Sequence, residues 1–216
     1  MSLSHSPKIV TNGLVLCLDA ADKKSYPGTG NTWFDRSGNG NNGALTNGPT
    51  FSSSNGGNIV FDGSNDYINN PLTKTINCTF SCWARINVLN NAMLFNAGIN
   101  GLGPDLFFYN GFISWNTWDG DVNKFSTIPA SAINGNFHHY VVVNDSATNA
   151  KLYYDGNLLG TAIYKNAAGN TNLTIGGNID SFQWNGSISN FLVYNKLLTP
   201  QEILQNFNAT RGRYGI

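Results

Sequence analysis

The stretch from Phe137 to Thr161, FHHYVVVNDSATNAKLYYDGNLLGT, constrains the fold more than any other part of the chain. It alternates short β-forming runs with turn chemistry and shows no helical period. His138 to Val143 is aromatic or β-branched, Asn144-Asp145-Ser146 ends the run, and Lys151 to Tyr154 begins another. Asp155-Gly156-Asn157 then turns the chain, because Gly takes φ > 0 at no steric cost and Asp tolerates it. Leu158 to Thr161 is therefore expected to fold back against Lys151 to Tyr154. His138 and His139 are strand neighbours and point to opposite faces, so they cannot hold one metal together. Both read as structural, one ring under the sheet and one at its surface.

The same β pattern recurs along the chain. Gly13 to Leu18 is a strand, Ala20 to Asn31 a polar loop long enough to need a ligand or a function, and Ile59 to Phe61 another strand. From Ile76 to Ile86 the alternation is strict, with Ile76, Cys78, Phe80, Cys82, Ala84 and Ile86 on one face and Asn77, Thr79, Ser81, Trp83 and Arg85 on the other. That pattern predicts a half-buried antiparallel strand. Met93 to Phe95, Leu106 to Tyr109 and Phe112 to Trp115 continue at short spacing, as in sandwiches. Helix-start chemistry is confined to Thr199-Pro200-Gln201-Glu202, with a Thr N-cap, Pro at the first helical position and Glu three residues after the cap. One or two helical turns over 200–208 follow, with Ile203, Leu204 and Phe207 facing the sandwich. The whole chain, 1–216, reads as one domain with an N-terminal tail over 1–7 and a C-terminal tail over 209–216.

Five segments in fixed order resemble a known family: NIVFDGSNDYI, CTFSCWARI, the FHHYVVV to LYYDGNLLG meander, NLTIGG and SISNFLVYNKLLTPQEI. Together they resemble the laminin-G-like, concanavalin A-like lectin/glucanase jelly-roll domains. The resemblance implies an all-β fold: a concanavalin A-like jelly-roll sandwich of two antiparallel sheets with one short C-terminal helix. The opening Gly13 to Pro49 and the closing QNFNATRGRYGI are similar to laminin-G-like proteins of tailed bacteriophages. This implies a non-enzymatic virion module, a tail fibre or capsid decoration, made in the host cytoplasm and exposed on the particle. Its implied partners are other virion proteins, further copies of itself and host-surface glycan. A purely structural assembly protein without a ligand is the alternative, and a glycoside hydrolase is the third.

Charged residues make up 11% of the chain and the formal net charge is zero. Typical soluble domains carry about 25% charged residues, so solubility here rests on Asn, Ser, Thr and Gly. Scattered basic residues cannot neutralise a run of phosphates, which argues against nucleic acid. No apolar run is long enough to cross a bilayer, and the N-terminus lacks the signal-peptide pattern, so neither membrane insertion nor the general secretory route is expected. Cys78 and Cys82 share a strand about 13 Å apart by strand rise, too far to bridge. With Cys17 they read as small buried hydrophobes.

Sugar recognition uses aromatic faces beside amides and carboxylates. The region around Asp105, Tyr109, Asn110, Trp115, Asn116, Trp118 and Asp119 offers both, and a smaller group around Trp184 includes Asp180, Gln183 and Asn185. Catalysis has no such constellation: glycoside hydrolysis usually needs two facing carboxylates, and the single glutamate, Glu202, sits in the capping box. Asp119 and Asp121 in WDGD read as a turn. A structural Ca2+ ion is one reading of the Gly/Asn-rich loop, with Asp19, Asp35, Asn39 and Asp66 supplying oxygens at one end of the sandwich. The other is a loop of Asx turns satisfied by the chain itself.

Overall fold

The computed structural model describes residues 7–73, 77–89, 91–97, 102–117, 122–145, 149–163, 172–177 and 182–216. The strands of the first third are β1 (Leu14–Asp19), β2 (Thr32–Trp33), β3 (Gly43–Thr46), β4 (Thr50–Ser52), β5 (Asn58–Asp62) and β6 (Tyr67–Thr73). They are followed by β7 (Cys78–Ile86), β8 (Ala92–Asn96), β9 (Leu102–Tyr109), β10 (Phe112–Thr117) and β11 (Val122–Thr127). The last are β12 (His138–Asn144), β13 (Asn149–Tyr154), β14 (Asn157–Ile163), β15 (Asn172–Ile175) and β16 (Asn185–Tyr194), before helix α1 (Pro200–Thr210).

All pairing is antiparallel and forms two sheets. The first runs β14-β13-β12-β7-β16-β5-β4, with β1 on the C-terminal half of β16, and the second runs β11-β10-β9-β8-β15-β6-β3-β2. The meander lies as the sequence predicts, as β12, β13 and β14. Asp155 and Gly156 form its last turn with φ of 47° and 79°, and Tyr154 pairs with Asn157. Aromatic rings join the sheets. Phe95 of the second sheet stacks on Phe80 at 4.6 Å and meets Phe191 edge-on at 5.5 Å, while Phe108 meets Tyr140 and Trp184. The sheets also close along one edge, where β14 approaches β11: a Cβ on Gly160 would collide with the Phe125 carbonyl.

Four expectations are corrected by an outer layer that covers the first sheet. The alternating strand is not half-buried: Thr79, Ser81 and Trp83 are as buried as the core face, while Ile76 lies outside the described residues. Helix α1 is three turns rather than one or two, and 209–216 is not a tail. It completes the helix and continues into a 3₁₀ turn, Arg211–Tyr214. That turn lays the Tyr214 ring on Trp83 at 4.1 Å, with Phe207 and His139 also stacked on Trp83 and its indole N–H donated to Thr210 Oγ1. Consequently both histidines are buried. His138 pairs with Asp155 at 2.7 Å and stacks on Tyr154, and His139 contacts Ser81. All three cysteines are free and buried.

The helix start follows its sequence. Thr199 Oγ1 accepts the Glu202 N–H, Glu202 Oε2 accepts the Thr199 N–H, and Lys196 lies 2.6 Å from Glu202 Oε1. The Lys196 hydrogen bond and the Thr199 N–H hold the Glu202 carboxyl below its ordinary value. The buried Asn206 amide ties the helix to the chain's beginning, accepting the Val10 N–H and donating to the Tyr194 hydroxyl, which itself donates to the Val10 carbonyl.

Burial pushes the His139 imidazole down to about 4 from 6.5, with Asp155 opposing. The unfolded chain therefore takes up this proton between pH 6.5 and 4 while the folded protein does not. Stability is full above 6.5 and falls by about 3 kcal/mol as pH drops to 4. Urea unfolding at pH 7 and pH 4.5 should show a flatter pH dependence in His139→Gln than in the parent. Gly160→Val should cost about 1 to 3 kcal/mol by forcing β14 off β11, read as a lower melting temperature with the helix signal retained.

Candidate carbohydrate-binding face

The two sheets differ in what covers their outer faces. Helix α1 and the 3₁₀ turn pack on the first, through Ile203 with Val141, Val143 and Leu192, and through Phe207 with Trp83. Among the described residues no helix lies on the second. Its inner face supplies Leu106, Phe108, Ile113, Trp115, Leu173 and Ile175 to the core. Alternation places Asp105, Phe107 and Tyr109 of β9 on the outer face, with Ser114 of β10.

Register brings a polar row across this face. Asn116 pairs with Asp105, Asp105 with Asn96, Asn96 with Thr174, and Thr174 with Asn69. At strand spacings of about 4.8 Å the five positions span roughly 19 Å. Asp105, Asn96 and Thr174 are buried and Asn69 is exposed, so the row opens at the β6 end. Thr174 Oγ1 donates to the Gly177 carbonyl, and Asn172 reaches Asn69 at 3.4 Å.

Beside the row stands an aromatic group. Tyr109 stacks on Phe107 at 5.2 Å, and Phe182 meets Phe107 edge-on at 4.8 Å. Phe112 pairs with Tyr109 across the hairpin and lies 3.9 Å under the Lys124 ammonium. Tyr109, Phe112 and Phe182 are half-buried, so each keeps part of its ring in water. The hairpin that presents Tyr109 and Phe112 turns at Asn110 and Gly111, with φ of 47° and 82°. Phe182 is held at φ 61°, which is unfavourable for a bulky residue, and its carbonyl accepts the Met93 N–H at 2.8 Å.

The sugar-contact residues expected from sequence divide accordingly. Asp105 and Asn116 are cross-strand partners on β9 and β10, Tyr109 belongs to the aromatic group, and Asn110 forms the exposed turn beside it. Trp115 and Trp184 are corrected: they are 1% and 0% exposed, packed against Phe95 and Phe108 respectively, and neither offers a ring face to a sugar. Asp105, at 0%, is likewise sealed beneath the surface. Trp118 and Asp119 lie outside the described residues, as do Asp121 and Asp180. The sequence reading missed Phe112 and Phe182. Alternation with the core residue Ile113 was a usable signal for Phe112, whereas nothing local marked Phe182.

Each calcium ligand expected from sequence is engaged by the chain itself. Among the described residues no group of three or more His, Cys, Asp or Glu side chains could hold a metal ion. Asp35 Oδ1 accepts the N–H groups of Cys17 and Ser37, and Oδ2 accepts the Asn41 N–H and the Ser37 hydroxyl. Asn39 bonds Ser37, Asp19 pairs with Arg213 at 2.8 Å, and Asp66 accepts the Asp62 N–H. Burial raises the Asp66 carboxyl above its ordinary value; the Asp62 N–H that it accepts opposes this, and the Asp62 carboxylate adds to it. The Gly/Asn loop is thus built of Asx turns that the chain satisfies itself. The long polar loop before it is held the same way, by Ser25 Oγ donating to the Phe34 carbonyl and Tyr26 donating to the Gly30 carbonyl.

Comparison with known proteins fits this architecture. Residues 62–204 match the family described as the concanavalin A-like lectin/glucanases superfamily. No curated protein matches the sequence. Among solved structures, the binding domain of Paraclostridial Mosquitocidal Protein 1 superposes with a TM-score of 0.72 at 18% identity, over 92% of this chain and 52% of that one. Trypanosoma rangeli sialidase, in complex with the inhibitor DANA, superposes with a TM-score of 0.69 at 18% identity, over 94% of this chain and 35% of the sialidase. Domain 4 of AbnA, a GH43 extracellular arabinanase from Geobacillus stearothermophilus, in complex with arabinotriose, gives 0.63 at 18% identity, over 89% and 97%. The chain therefore spans about half of the toxin binding domain and about a third of the sialidase.

Because Asp35 serves four donors of its own chain, Asp35→Ala should lower the melting temperature by several degrees to the same extent in excess calcium and in chelator. The loss corresponds to about 2 to 4 kcal/mol for hydrogen bonds to a charged acceptor left unmade.

Proposed function

The chain belongs to the concanavalin A-like lectin/glucanase superfamily, and from that premise we propose that it is a non-enzymatic carbohydrate-binding module whose ligand lies on the outer face of the second sheet. The observation that carries this is the convergence of three half-exposed rings, Tyr109, Phe112 and Phe182, on the sheet face that α1 leaves open. Ring faces cover the apolar C–H surface of a sugar, and Lys124 and the exposed amides of Asn110, Asn69 and Asn172 reach its hydroxyls. The span of the row suits a short oligosaccharide. The AbnA domain, with its arabinotriose, supports the reading by example.

A hydrolytic role has less support. Among the strands of the second sheet Asp105 is the one carboxylate, and Glu202 is engaged in the helix cap. Paired carboxylates on either side of a glycosidic bond are what the reaction requires. The module sits on a bacteriophage particle, as a tail fibre or capsid decoration, in several copies. The resemblance of Gly13 to Pro49 and of the closing segment to phage proteins supports that setting, as does the low surface charge.

A glycan array with the purified chain, followed by titration calorimetry on the best ligand, tests the binding. Tyr109→Ala and Phe112→Ala should each weaken binding about tenfold, or about 1.4 kcal/mol, with unchanged melting curves. Absence of any glycan signal, or binding indifferent to both substitutions, would leave the purely structural role in its place.

A further inference from the structure

The eight strands of the second sheet carry two ionised side chains, Lys124 on β11 and Asp105 on β9. Asp105 is 0% exposed, so it meets no ligand directly. Lys124 is exposed and stands at the edge of the ring group, its ammonium 3.9 Å from the centre of the Phe112 ring. Among the described residues no carboxylate and no hydrogen-bond acceptor engages it. The Ser114 hydroxyl, on the residue paired with Lys124, makes no hydrogen bond.

The cation is also held in place. An ammonium over an aromatic face is attracted by the ring quadrupole, and this ring belongs to a hairpin anchored on both sides. The Asn110 N–H donates to Asn91 Oδ1 at 3.3 Å, and the Gly111 carbonyl accepts the Ile128 N–H at 2.9 Å. A lysine with free rotamers loses much entropy when it grips a ligand. The Phe112 contact has already restricted Lys124, so less is lost on binding. Tyr109 is the cross-strand partner of Phe112, and directly opposed residues have Cβ atoms about 5 Å apart. A sugar ring seated on Tyr109 therefore carries its substituents within reach of the ammonium.

The preferred charge of the ligand follows from which of the two groups it feels more. Asp105 lies four residues from Tyr109 along β9, about 13 Å by strand rise. A carboxylate about 4 Å from Lys124 would meet an attraction about three times that repulsion at equal dielectric. In bulk water two opposite unit charges at that separation already raise affinity about fivefold, and more where solvent is displaced. A neutral sugar would use the ammonium only as a donor to a hydroxyl and leave this attraction unused.

We infer that the residue seated on Tyr109 is an acidic sugar, a uronic acid whose carboxylate pairs with Lys124, and that Lys124 is the residue that selects it. This rests on the reading of the outer face as the carbohydrate site, and narrows its ligand from any short oligosaccharide to an anionic one.

The test is titration calorimetry of the full chain with trimers of glucuronate, galacturonate and mannuronate, each beside its methyl ester, and with a sulfated galactose trimer. At least one uronate should bind at least about fivefold more tightly than its ester. Raising the salt from about 50 to about 500 mM should weaken binding of the acid and leave that of the ester unmoved. Lys124→Gln should bring the acid down to the affinity of its ester and remove the salt dependence. Lys124→Arg, which keeps the charge and can stack on the ring, should retain both. Tyr109→Ala should weaken acid and ester alike, which places the binding on this face. Acid and ester bound equally, an acid preference that survives Lys124→Gln, or a sulfate ester bound more tightly than every uronate would overturn the inference. Neutral glycans that bind through Tyr109, with no uronate bound, would sink the acidic assignment and keep the sugar-binding face; no binding by any glycan would sink both.

Discussion

The first sheet has to be dry on both faces, and everything else in the molecule is arranged around that requirement. Its centre, β7 and β16, carries large side chains on both sides, with Phe80 and Phe191 toward the second sheet and Trp83 and Tyr194 away from it. An isolated sandwich would leave Trp83 in water. The C-terminal segment prevents this by stacking Tyr214 and Phe207 on the indole and by accepting its N–H at Thr210. Full burial of one such ring is worth about 2 to 3 kcal/mol, a large fraction of the net stability of an ordinary domain. The segment 200–216 is therefore an integral layer of the fold.

Covering one sheet decides where a ligand can approach. With α1 committed to the first sheet, the second has its outer face uncovered by any described helix, and that is where β9 and β10 place Tyr109 and Phe112. The polar row beneath is sealed at Asp105 and Asn96 and open at Asn69. It is thus a rigid floor with an accessible end, flanked by rings that remain half in solvent. Such an asymmetric sandwich separates its tasks: the back sheet holds the structure, and the front sheet is the face on which we propose that a sugar binds.

Local chemistry was legible in the sequence. The Asp155-Gly156 turn and the Thr199 to Glu202 capping box depend on residues within a few positions of one another, and both form as read. The alternation of Cys78 to Ile86 was legible as a strand, but the burial of its second face was not, because Phe207 and Tyr214 that cover it lie more than a hundred residues away in sequence. The site shows the same division. Trp115 was read as a surface ring from its type and its polar neighbours, yet it alternates with Ser114 and shares the core face with Ile113. Phe182 gave no signal, since a bulky residue at positive φ follows from tertiary packing rather than from propensity. Asp35 was read as a metal ligand because its loop is rich in oxygen. The donors that occupy it, the N–H groups of Cys17, Ser37 and Asn41, are backbone groups to which residue identity gives little guide.

The knot of hydrogen bonds among Val10, Tyr194 and Asn206 has a mechanical consequence. The start of the chain and its terminal helix are fastened to each other on the back of the molecule, with Gln205 also donating to the Lys8 carbonyl. A pull between the two ends is therefore carried across that knot and through the contact of β1 with β16, while the second sheet lies outside the path of the load. Tension on a tethered molecule would peel the arm and helix first, and the front sheet would keep its shape until the back layer had yielded.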